Sequence, residues 1–340
     1  MKTMLRIATA IAALITACTG CGRPAAAETI TLMAGPVGGV WYIVGAGMAK
    51  IIHDAYPDLS VRIEPGGAVA NPARIGQGTA DFALAITTPT VMAIRGTGMF
   101  HEKYPDIQAI AFGFAPSYIQ TIATADFAYP DLGAAFRAKA PMRIAAPSTA
   151  TLGHWIAVQT LTHYGASPEA LRQWGGSISF VSHAQQQDLV RNGQANVLTT
   201  MLPAPGPDIS LVASSQKMKF LPMTKGVVDM LVKEDAVEPA TMGHDLYPDL
   251  IPAGQEIQSV VVASGLIVSP KVPEKIVYEV TRALFEHAAE VSAIHASIGP
   301  FVPEKLAKPG PRGNGEIPLA PGAERYFKEK GYAYKEAATQ

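Results

Sequence analysis

Short apolar runs alternate with glycine-containing turns and helical patterns near the start of this chain. Between the first two turns, apolar residues such as Val40, Val44 and Met48 recur at the three- to four-residue spacing of a helix. Strands that alternate with helices pair in parallel within a sheet buried on both faces. The pattern therefore restricts the chain to an α/β fold. The three predicted strands are residues 30–34, 61–63 and 82–86.

Each glycine turn in this stretch lies between the end of a predicted strand and the start of a helix. Gly38 and Gly39 follow the first strand, and Gly66 and Gly67 follow the second. Such a turn places free backbone N–H groups and the positive end of a helix dipole at the carboxyl edge of the sheet. Two such turns side by side predict a binding site for a small anion.

Residues 115–117 (Ala-Pro-Ser) separate two apolar runs, and we predict that the chain crosses there from a first lobe to a second lobe. A second strand–turn–helix unit follows this crossover. In that unit, residues 148–151 (Ser-Thr-Ala-Thr) occupy the position of the anion turn. The strong strand at 260–268 returns the chain to the first lobe. The other predicted elements are strands at 142–146, 178–181, 195–199 and 219–223, helices that start at 71 and 131, helices at 152–164, 184–191, 274–287 and 322–330, and a surface loop at 305–321.

The order of these units predicts two α/β lobes joined by a two-strand hinge. A length of 340 residues also fits about two domains. We expect residues 28–115 and 256–340 to form lobe one and residues 116–255 to form lobe two.

Residues 1–27 have the pattern of a secretory signal peptide, with basic residues near the start and an apolar run too short to span a bilayer. Two processing sites remain open. Residues 15–18 (Ile-Thr-Ala-Cys) resemble a bacterial lipobox, which would place a lipid on Cys18, whereas residues 25–27 (Ala-Ala-Ala) resemble an ordinary cleavage site. Because Cys18 and Cys21 are the only cysteines, no disulfide or thiolate chemistry is expected in the folded body. We expect a protein outside the cytoplasm, either soluble or anchored through Cys18.

Composition and motifs exclude several classes of function. The formal net charge is −1 and the basic residues are scattered, so no nucleic acid is expected as a partner. The chain has no P-loop, no H-E-x-x-H motif and no complete G-x-G-x-x-G motif. His154 and His163 lie on opposite faces of one predicted helix and cannot share a metal ion. We expect a monomer without a metal or a cofactor.

The candidate ligand-binding residues lie in the turns and at strand ends. Hydroxyl groups and helix N-terminal amides suit a carboxylate, and an aromatic ring can cover the apolar part of a ligand. Structural roles remain open for several of them: Asn71 as a helix cap, residues 148–151 as a capping turn, and either Trp41 or Tyr42 as a core residue. The candidates are Gly38, Gly39, Trp41, Tyr42, Gly67, Ala68, Asn71, Thr87, Thr88, Ser148, Thr149, Ala150, Thr151 and Pro203.

Five segments along the chain form a recognisable series: Gly-Gly-Val-Trp-Tyr at 38–42, Gly-Gly-Ala-Val-Ala-Asn at 66–71, Gly-Thr-Ala-Asp at 78–81, Ile-Pro-Ala-Gly at 251–254 and Pro-Gly-Ala-Glu-Arg-Tyr at 321–326. In this order they resemble the TAXI family of extracytoplasmic solute receptors, which serve tripartite ATP-independent periplasmic (TRAP) transporters. The resemblance covers nearly the whole chain after the leader and implies a type II-like periplasmic binding protein. Such a receptor closes on a small organic acid, amino-acid-like or dicarboxylate-like, and presents it to the membrane subunits of a TRAP-type permease.

The chain departs from the family pattern near the expected ligand site. Ala68 stands where the family usually has serine, and residues 87–89 (Thr-Thr-Pro) stand where glutamine and aspartate are frequent. The ligand is therefore left open. Two other functions also remain open: a receptor for a signalling partner, and a secreted hydrolase with Ser148 as nucleophile and His154 as base. The chain has no G-x-S-x-G motif, and we expect no enzymatic activity.

Overall fold

The computed structural model describes residues 28–149, 151–308 and 315–332, so the predicted signal peptide, with Cys18 and Cys21, lies outside the described residues. The described strands are β1 (Glu28–Met33), β2 (Leu59–Glu64), β3 (Phe82–Ile86), β4 (Gln108–Thr124), β5 (Arg143–Pro147), β6 (Ser177–Val181), β7 (Val197–Leu202), β8 (Met218–Phe220), β9 (Glu238–Gly243) and β10 (Glu256–Val268). The described helices are α1 (Val40–Ala55), α2 (Ala70–Gly76), α3 (Thr87–Arg95), α4 (Leu132–Arg137), α5 (Leu152–His163), α6 (Pro168–Gln173), α7 (His183–Arg191), α8 (Pro207–Ser215), α9 (Lys225–Asp235), α10 (Glu274–Glu286), α11 (Ala288–Ile294), α12 (Pro303–Leu306) and α13 (Pro321–Glu329).

All of these strands belong to one curled sheet with the order β2-β1-β3-β10-β4-β7-β5-β6, in which β8 pairs with β4 and β9 pairs with β10. The strands β1, β2 and β3 are parallel, as are β5, β6 and β7. The long strands β4 and β10 run antiparallel to their neighbours and to each other. The two groups of parallel strands confirm the prediction of two α/β units.

The strands β4 and β10 form the connection between these units. The first half of β4 and the second half of β10 join the sheet beside β3, whereas the second half of β4 pairs with β7 and β8. The pairing of the two strands is irregular between Val262 and Gly265, and Ala115 has a φ of 46°. The fold is thus two lobes joined by a two-strand hinge. Lobe one contains β1–β3, and lobe two contains β5–β8.

A buried apolar cluster crosses from one lobe to the other. Leu152 and Ile156 of α5 pack with Val260 and Val262 of the hinge, and Ile86 at the end of β3 packs against the same cluster. The sheet and helices of each lobe therefore meet at the hinge through apolar contacts. The start of α5 and the end of β3 are brought to the same region.

Several sequence predictions of secondary structure need correction. The helix α3 was not predicted, and neither were α6, α8, α9 and the strand β9. The predicted break in β4 is absent, because this strand continues from Gln108 to Thr124. The end of the predicted surface loop is buried: Leu319 forms a bridge with Ala109 and is 8% exposed. Residues 309–314 of that loop lie outside the described residues.

The Pro-Gly-Ala-Glu-Arg-Tyr segment forms the start of α13 and packs against α10. A Cβ atom at Gly322 would lie 2.5 Å from the Glu274 carbonyl oxygen and 2.6 Å from the Tyr278 nitrogen. Arg325 donates a 2.8 Å hydrogen bond to Glu274 and lies 4.1 Å from the centre of the Tyr278 ring. This segment therefore holds two helices together.

Candidate functional site

The register of the hinge strands brings the carboxyl ends of both sets of parallel strands together. In lobe one, Ile86 at the end of β3 pairs with Ser264, which also pairs with Phe114. In lobe two, Leu202 at the end of β7 pairs with Tyr118. Phe114 and Tyr118 lie on the same strand, four residues apart. The loops that follow β1–β3 and β5–β7 therefore approach the hinge from opposite sides, and we call this region the interlobe edge.

The first glycine turn connects β1 to α1. Gly38 has a φ of +82°, a conformation that favours glycine, and Gly39 is the N-cap of α1. A Cβ atom at Gly35 would lie 2.7 Å from the Cβ atom of Trp41, so Gly35 allows Trp41 to pack against the turn. Both Trp41 and Tyr42 are partly buried against the core cluster of lobe one. Packing thus accounts for part of the surface of each ring, and a ligand contact of either ring stays a prediction.

Asn71 connects the second glycine turn to the end of β1 and the middle of β3. Its side-chain amide donates hydrogen bonds to the carbonyl oxygens of Ala34 (2.9 Å) and Leu84 (2.7 Å), and its Oδ1 accepts one from the Gly67 nitrogen (2.9 Å). Asn71 is 0% exposed. The prediction that it caps α2 is wrong, because this helix begins at Ala70 with Val69 as its N-cap. Both N–H bonds of the side chain are used inside the protein, which leaves neither for a ligand in this conformation.

Gly67 and Ala68 follow β2 and are half-buried. The Gly66 nitrogen donates to the Gly35 carbonyl oxygen at 3.3 Å, so the two glycine turns are in direct contact. This contact satisfies the geometric part of the prediction that the turns lie side by side. Binding of a ligand by Gly38, Gly39, Gly67 or Ala68 stays a prediction.

Thr87 and Thr88 form the start of a helix, whereas the sequence predicted the end of a strand. They are the first two residues of α3, and β3 ends at Ile86. The Thr88 hydroxyl is buried and has no hydrogen-bond partner, in contrast to the Thr90 hydroxyl, which donates to the Ile86 carbonyl oxygen at 2.7 Å. The structure therefore adds a third helix N-terminus to the lobe-one side of the interlobe edge, after those of α1 and α2.

The polar turn of lobe two caps α5. The Thr151 hydroxyl accepts a 3.1 Å hydrogen bond from the His154 nitrogen and donates a 2.8 Å bond to the Ser148 carbonyl oxygen. Ser148 is half-buried and Thr149 is exposed, whereas Ala150 lies outside the described residues. The capping role is therefore present for Thr151. The hydroxyls of Ser148 and Thr149 remain the candidates for a ligand on this side.

A buried hydrogen-bond network fixes the loop after β7. The Gln120 amide donates to the carbonyl oxygens of Leu202 (2.9 Å) and Pro203 (3.3 Å). The Tyr247 hydroxyl accepts a 2.6 Å bond from the Gly206 nitrogen and donates to Gln120. Pro203 is thereby held at the interlobe edge through its carbonyl group, next to the start of α8.

Three titratable residues at or near this edge were not among the predicted ligand residues. The His154 ring packs against Phe180, with 4.4 Å between centroids, and its Nδ1 atom is buried without a hydrogen-bond partner. The His183 Nδ1 atom lies 3.1 Å from the Thr200 hydroxyl. Glu238 is the first residue of β9, and its Oε1 atom is buried without a hydrogen-bond partner. The Ser-x-x-Gln pattern at 182–185 forms a capping box and is the sequence signal that could have placed His183 at the start of the helix predicted at 184–191.

The loops of the interlobe edge contain no lysine and no arginine. A bound anion would therefore be held by backbone N–H groups, helix dipoles and hydroxyl groups. A cavity of about 530 Å³ lies elsewhere in lobe two, and its lining, which includes Ser214, Lys217 and Asp249, contains none of the predicted ligand residues. The edge loops, with the helix starts that follow them, are residues 34–41, 64–71, 86–90, 147–149, 151–155, 181–186 and 202–208, and residues 114–118 are the part of β4 that lies beside them.

The fold is that of the periplasmic solute-binding proteins. A structure of MatC from Rhodopseudomonas palustris with bound malate has a TM-score of 0.50 and 14% identity, over 89% of this chain and 97% of that chain. A structure described as the periplasmic sulfonate-binding protein SsuA from Methylobacillus flagellatus KT has a TM-score of 0.50 and 9% identity, over 93% and 99% of the two chains. At these identities the similarity shows the fold alone.

Residues 32–331 match the NMT1-like family, and the chain belongs to this family. No curated protein matches the chain. Within the part of the chain that the structure describes, no helix is both long enough and apolar enough to cross a membrane.

Proposed function

We propose that this chain is an extracytoplasmic solute receptor of the TAXI type. It binds a small organic acid between its lobes and delivers the acid to the membrane subunits of a TRAP-type permease. The register at the hinge is the observation that carries this proposal, because it brings Ile86 and Leu202, at the ends of β3 and β7, to the same edge. The helices α1, α3 and α5 begin in loops of that edge and offer their N-terminal amides to an anion.

The composition of the interlobe edge supports an anion held by neutral groups. Its loops carry hydroxyl side chains at Ser148, Thr149 and Thr88 and have no lysine or arginine. A carboxylate is well matched to several backbone N–H groups and hydroxyls, which provide hydrogen bonds without a counter-ion. The proposed ligand is amino-acid-like or dicarboxylate-like, as the resemblance to the TAXI segments implies.

Closure of the lobes is the proposed mechanism. Lobe one would comprise residues 28–115 with 256–340, and lobe two residues 116–255. The irregular pairing near Val262 and the positive φ of Ala115 occur where both strands pass between the lobes. A ligand that contacts both lobes favours the closed state by the difference between its affinities for the two states.

Thermal unfolding with amino acids, 2-oxo acids and dicarboxylates tests the proposal. A ligand at a hundredfold excess over its dissociation constant adds about 2.7 kcal/mol of stability. We expect Ser148→Ala to weaken binding of that ligand without any turnover in either protein. The control is Ser214→Ala, which we expect to keep the wild-type affinity. The Ser214 hydroxyl donates to the Leu211 carbonyl oxygen, away from the edge. Turnover by the wild type that Ser148→Ala abolishes would instead identify a hydrolase.

The cellular part of the proposal concerns location and output. We propose a periplasmic protein, and Cys18→Ser in the full chain distinguishes the two processing routes. Loss of the protein from the membrane fraction on this substitution identifies a lipid anchor, and an unchanged soluble protein identifies cleavage after residues 25–27. A permease gene beside the gene for this chain favours transport, whereas a sensor kinase gene favours signalling.

A further inference from the structure

One acidic side chain lies in the row of residues that borders the interlobe edge. Leu202 of β7 pairs with Tyr118 of β4, Tyr118 pairs with Val261 of β10, and Val261 pairs with Glu238 of β9. Directly paired residues on neighbouring strands extend their side chains to the same face of a sheet. Glu238 is therefore on the same face as Tyr118, at the level where the parallel strands of lobe two end.

The chain that leads into Glu238 passes between the lobes. Ala236 belongs to a buried cluster of lobe one that contains Val91 and Met92 of α3. Val237, the next residue, belongs to the cluster that joins α5 to the hinge. Glu238 thus directly follows a segment that contacts both lobes.

Glu238 is half-buried, and one oxygen of its carboxylate lacks a partner in this environment. Its Oε1 atom is buried and makes no hydrogen bond, and burial raises the pKa of the carboxyl group above its ordinary value. Burial of a carboxylate oxygen without a compensating donor disfavours the charged form. The loops of the interlobe edge contain no lysine or arginine that could supply a positive charge. A cationic group that arrives with the ligand would provide both the charge and the missing hydrogen bond.

We propose that Glu238 binds the ammonium group of the ligand, so that the receptor selects amino acids over carboxylic acids that lack an amine. This inference rests on the proposed function. The carboxylate of the ligand is held by the helix N-termini of the edge, and the ammonium group is held by the sheet at Glu238. A site with these two poles recognises a zwitterion, whereas a dicarboxylate would place its second negative charge against Glu238.

Matched ligand pairs test the inference by calorimetry. Each pair differs only in the amine: glutamate and glutarate, aspartate and succinate, leucine and 4-methylpentanoate. We expect the wild type to bind the amino acid of at least one pair tenfold or more tightly than its partner. Glu238→Gln abolishes that preference, and Glu256→Gln, at the exposed start of β10, retains it. Circular dichroism establishes that both variants are folded.

The outcomes separate this inference from the proposed function. Equal or tighter binding of the acids without an amine overturns the role of Glu238 and leaves the organic-acid receptor intact. An amine preference that survives in folded Glu238→Gln also overturns it. Failure of the wild type to bind any member of the three pairs or of the wider acid panel overturns both proposals. The preference of the wild type is informative even if Glu238→Gln does not fold.

Discussion

The side-chain amide of Asn71 donates a 2.7 Å hydrogen bond to the carbonyl oxygen of Leu84, although 13 residues separate them in the chain. The same nitrogen donates to Ala34, which lies 37 residues away. One side chain on α2 therefore holds the end of β1 and the middle of β3, while its oxygen orders the second glycine turn through Gly67. The lobe-one side of the interlobe edge depends on this residue for its shape.

Replacement of Asn71 by alanine is expected to destabilise the protein strongly. It removes the hydrogen bonds that Asn71 makes to two carbonyl groups and to the half-buried Gly67 N–H group, which costs about 3–5 kcal/mol in unfolding free energy. Urea denaturation measures the loss. The control is Arg74→Ala on the same helix, because its bond to Glu64 is long at 3.4 Å and the arginine side chain is 43% exposed. An Asn71→Ala protein as stable as Arg74→Ala would contradict the connecting role.

Sequence patterns predicted the architecture because the fold repeats one local unit. The strand Phe82–Ile86 has the predicted bounds, and Asp131 caps α4 by accepting a bond from the Ala134 nitrogen. The helix α3 was missed because Thr87, Thr88 and Pro89 have low helix propensity. Proline is tolerated there, since the first N–H groups of a helix have no intrahelical partner. Burial of this helix then outweighs the local preference.

The site could be predicted only in part, because its side chains are fixed by distant partners. The glycine turns and the Ser-Thr turn are local patterns, and the structure places them in the loops of one edge. The bonds of Asn71 depend on residues 13 and 37 positions away, so no local pattern reveals them. Glu238 was missed because β9 contains Pro239 and pairs with β10 as an edge strand, which gives a weak strand signal.

Removal of the Thr151 hydroxyl tests the capping function of the lobe-two turn. Thr151→Ala deletes the bond from the His154 nitrogen and is expected to cost about 1 kcal/mol of stability. Thr151→Ser keeps the hydroxyl and should therefore retain most of the wild-type stability. Thr149→Ala, at an exposed position of the same turn, should unfold like the wild type. Equal stability of the alanine and serine variants at position 151 would exclude a capping contribution.

Asp235 is expected to make stability dependent on pH. The residue is 3% exposed, and burial is the main cause that raises the pKa of its carboxyl group. The bond from Trp155 and the charge of Arg95 lower this pKa, whereas the charge of Glu234 raises it further. The folded protein therefore keeps the proton at pH values where the unfolded chain has released it. Stability falls as the pH rises from about 4, the ordinary pKa of aspartate, through the raised value.

Asp235→Asn removes this dependence on pH. In the wild type the Trp155 indole nitrogen lies 2.8 Å from the Asp235 Oδ1 atom, and the asparagine carbonyl oxygen can still accept this hydrogen bond. We expect the variant to be more stable than the wild type at pH 7 by on the order of 1 kcal/mol and equal to it near pH 3. Denaturation at several pH values measures the difference. Asp229→Asn on the same helix, at an exposed carboxylate paired with Lys225, should show no such crossover. A constant difference at all pH values would contradict the titration of Asp235.

Gly322→Ala tests whether the Pro-Gly-Ala-Glu-Arg-Tyr segment has a packing function. The new Cβ atom would meet the α10 backbone at 2.5 Å and 2.6 Å, and backbone atoms cannot move aside cheaply. Overpacking of this kind costs about 1–3 kcal/mol. Gly226→Ala is the control, since its Cβ atom would meet only the ring of His163, at 3.3 Å. Because the atoms nearest the new Cβ atom all belong to α10, ligand affinity should be unchanged in folded Gly322→Ala. A loss of ligand binding with wild-type stability would instead place this segment in the binding site.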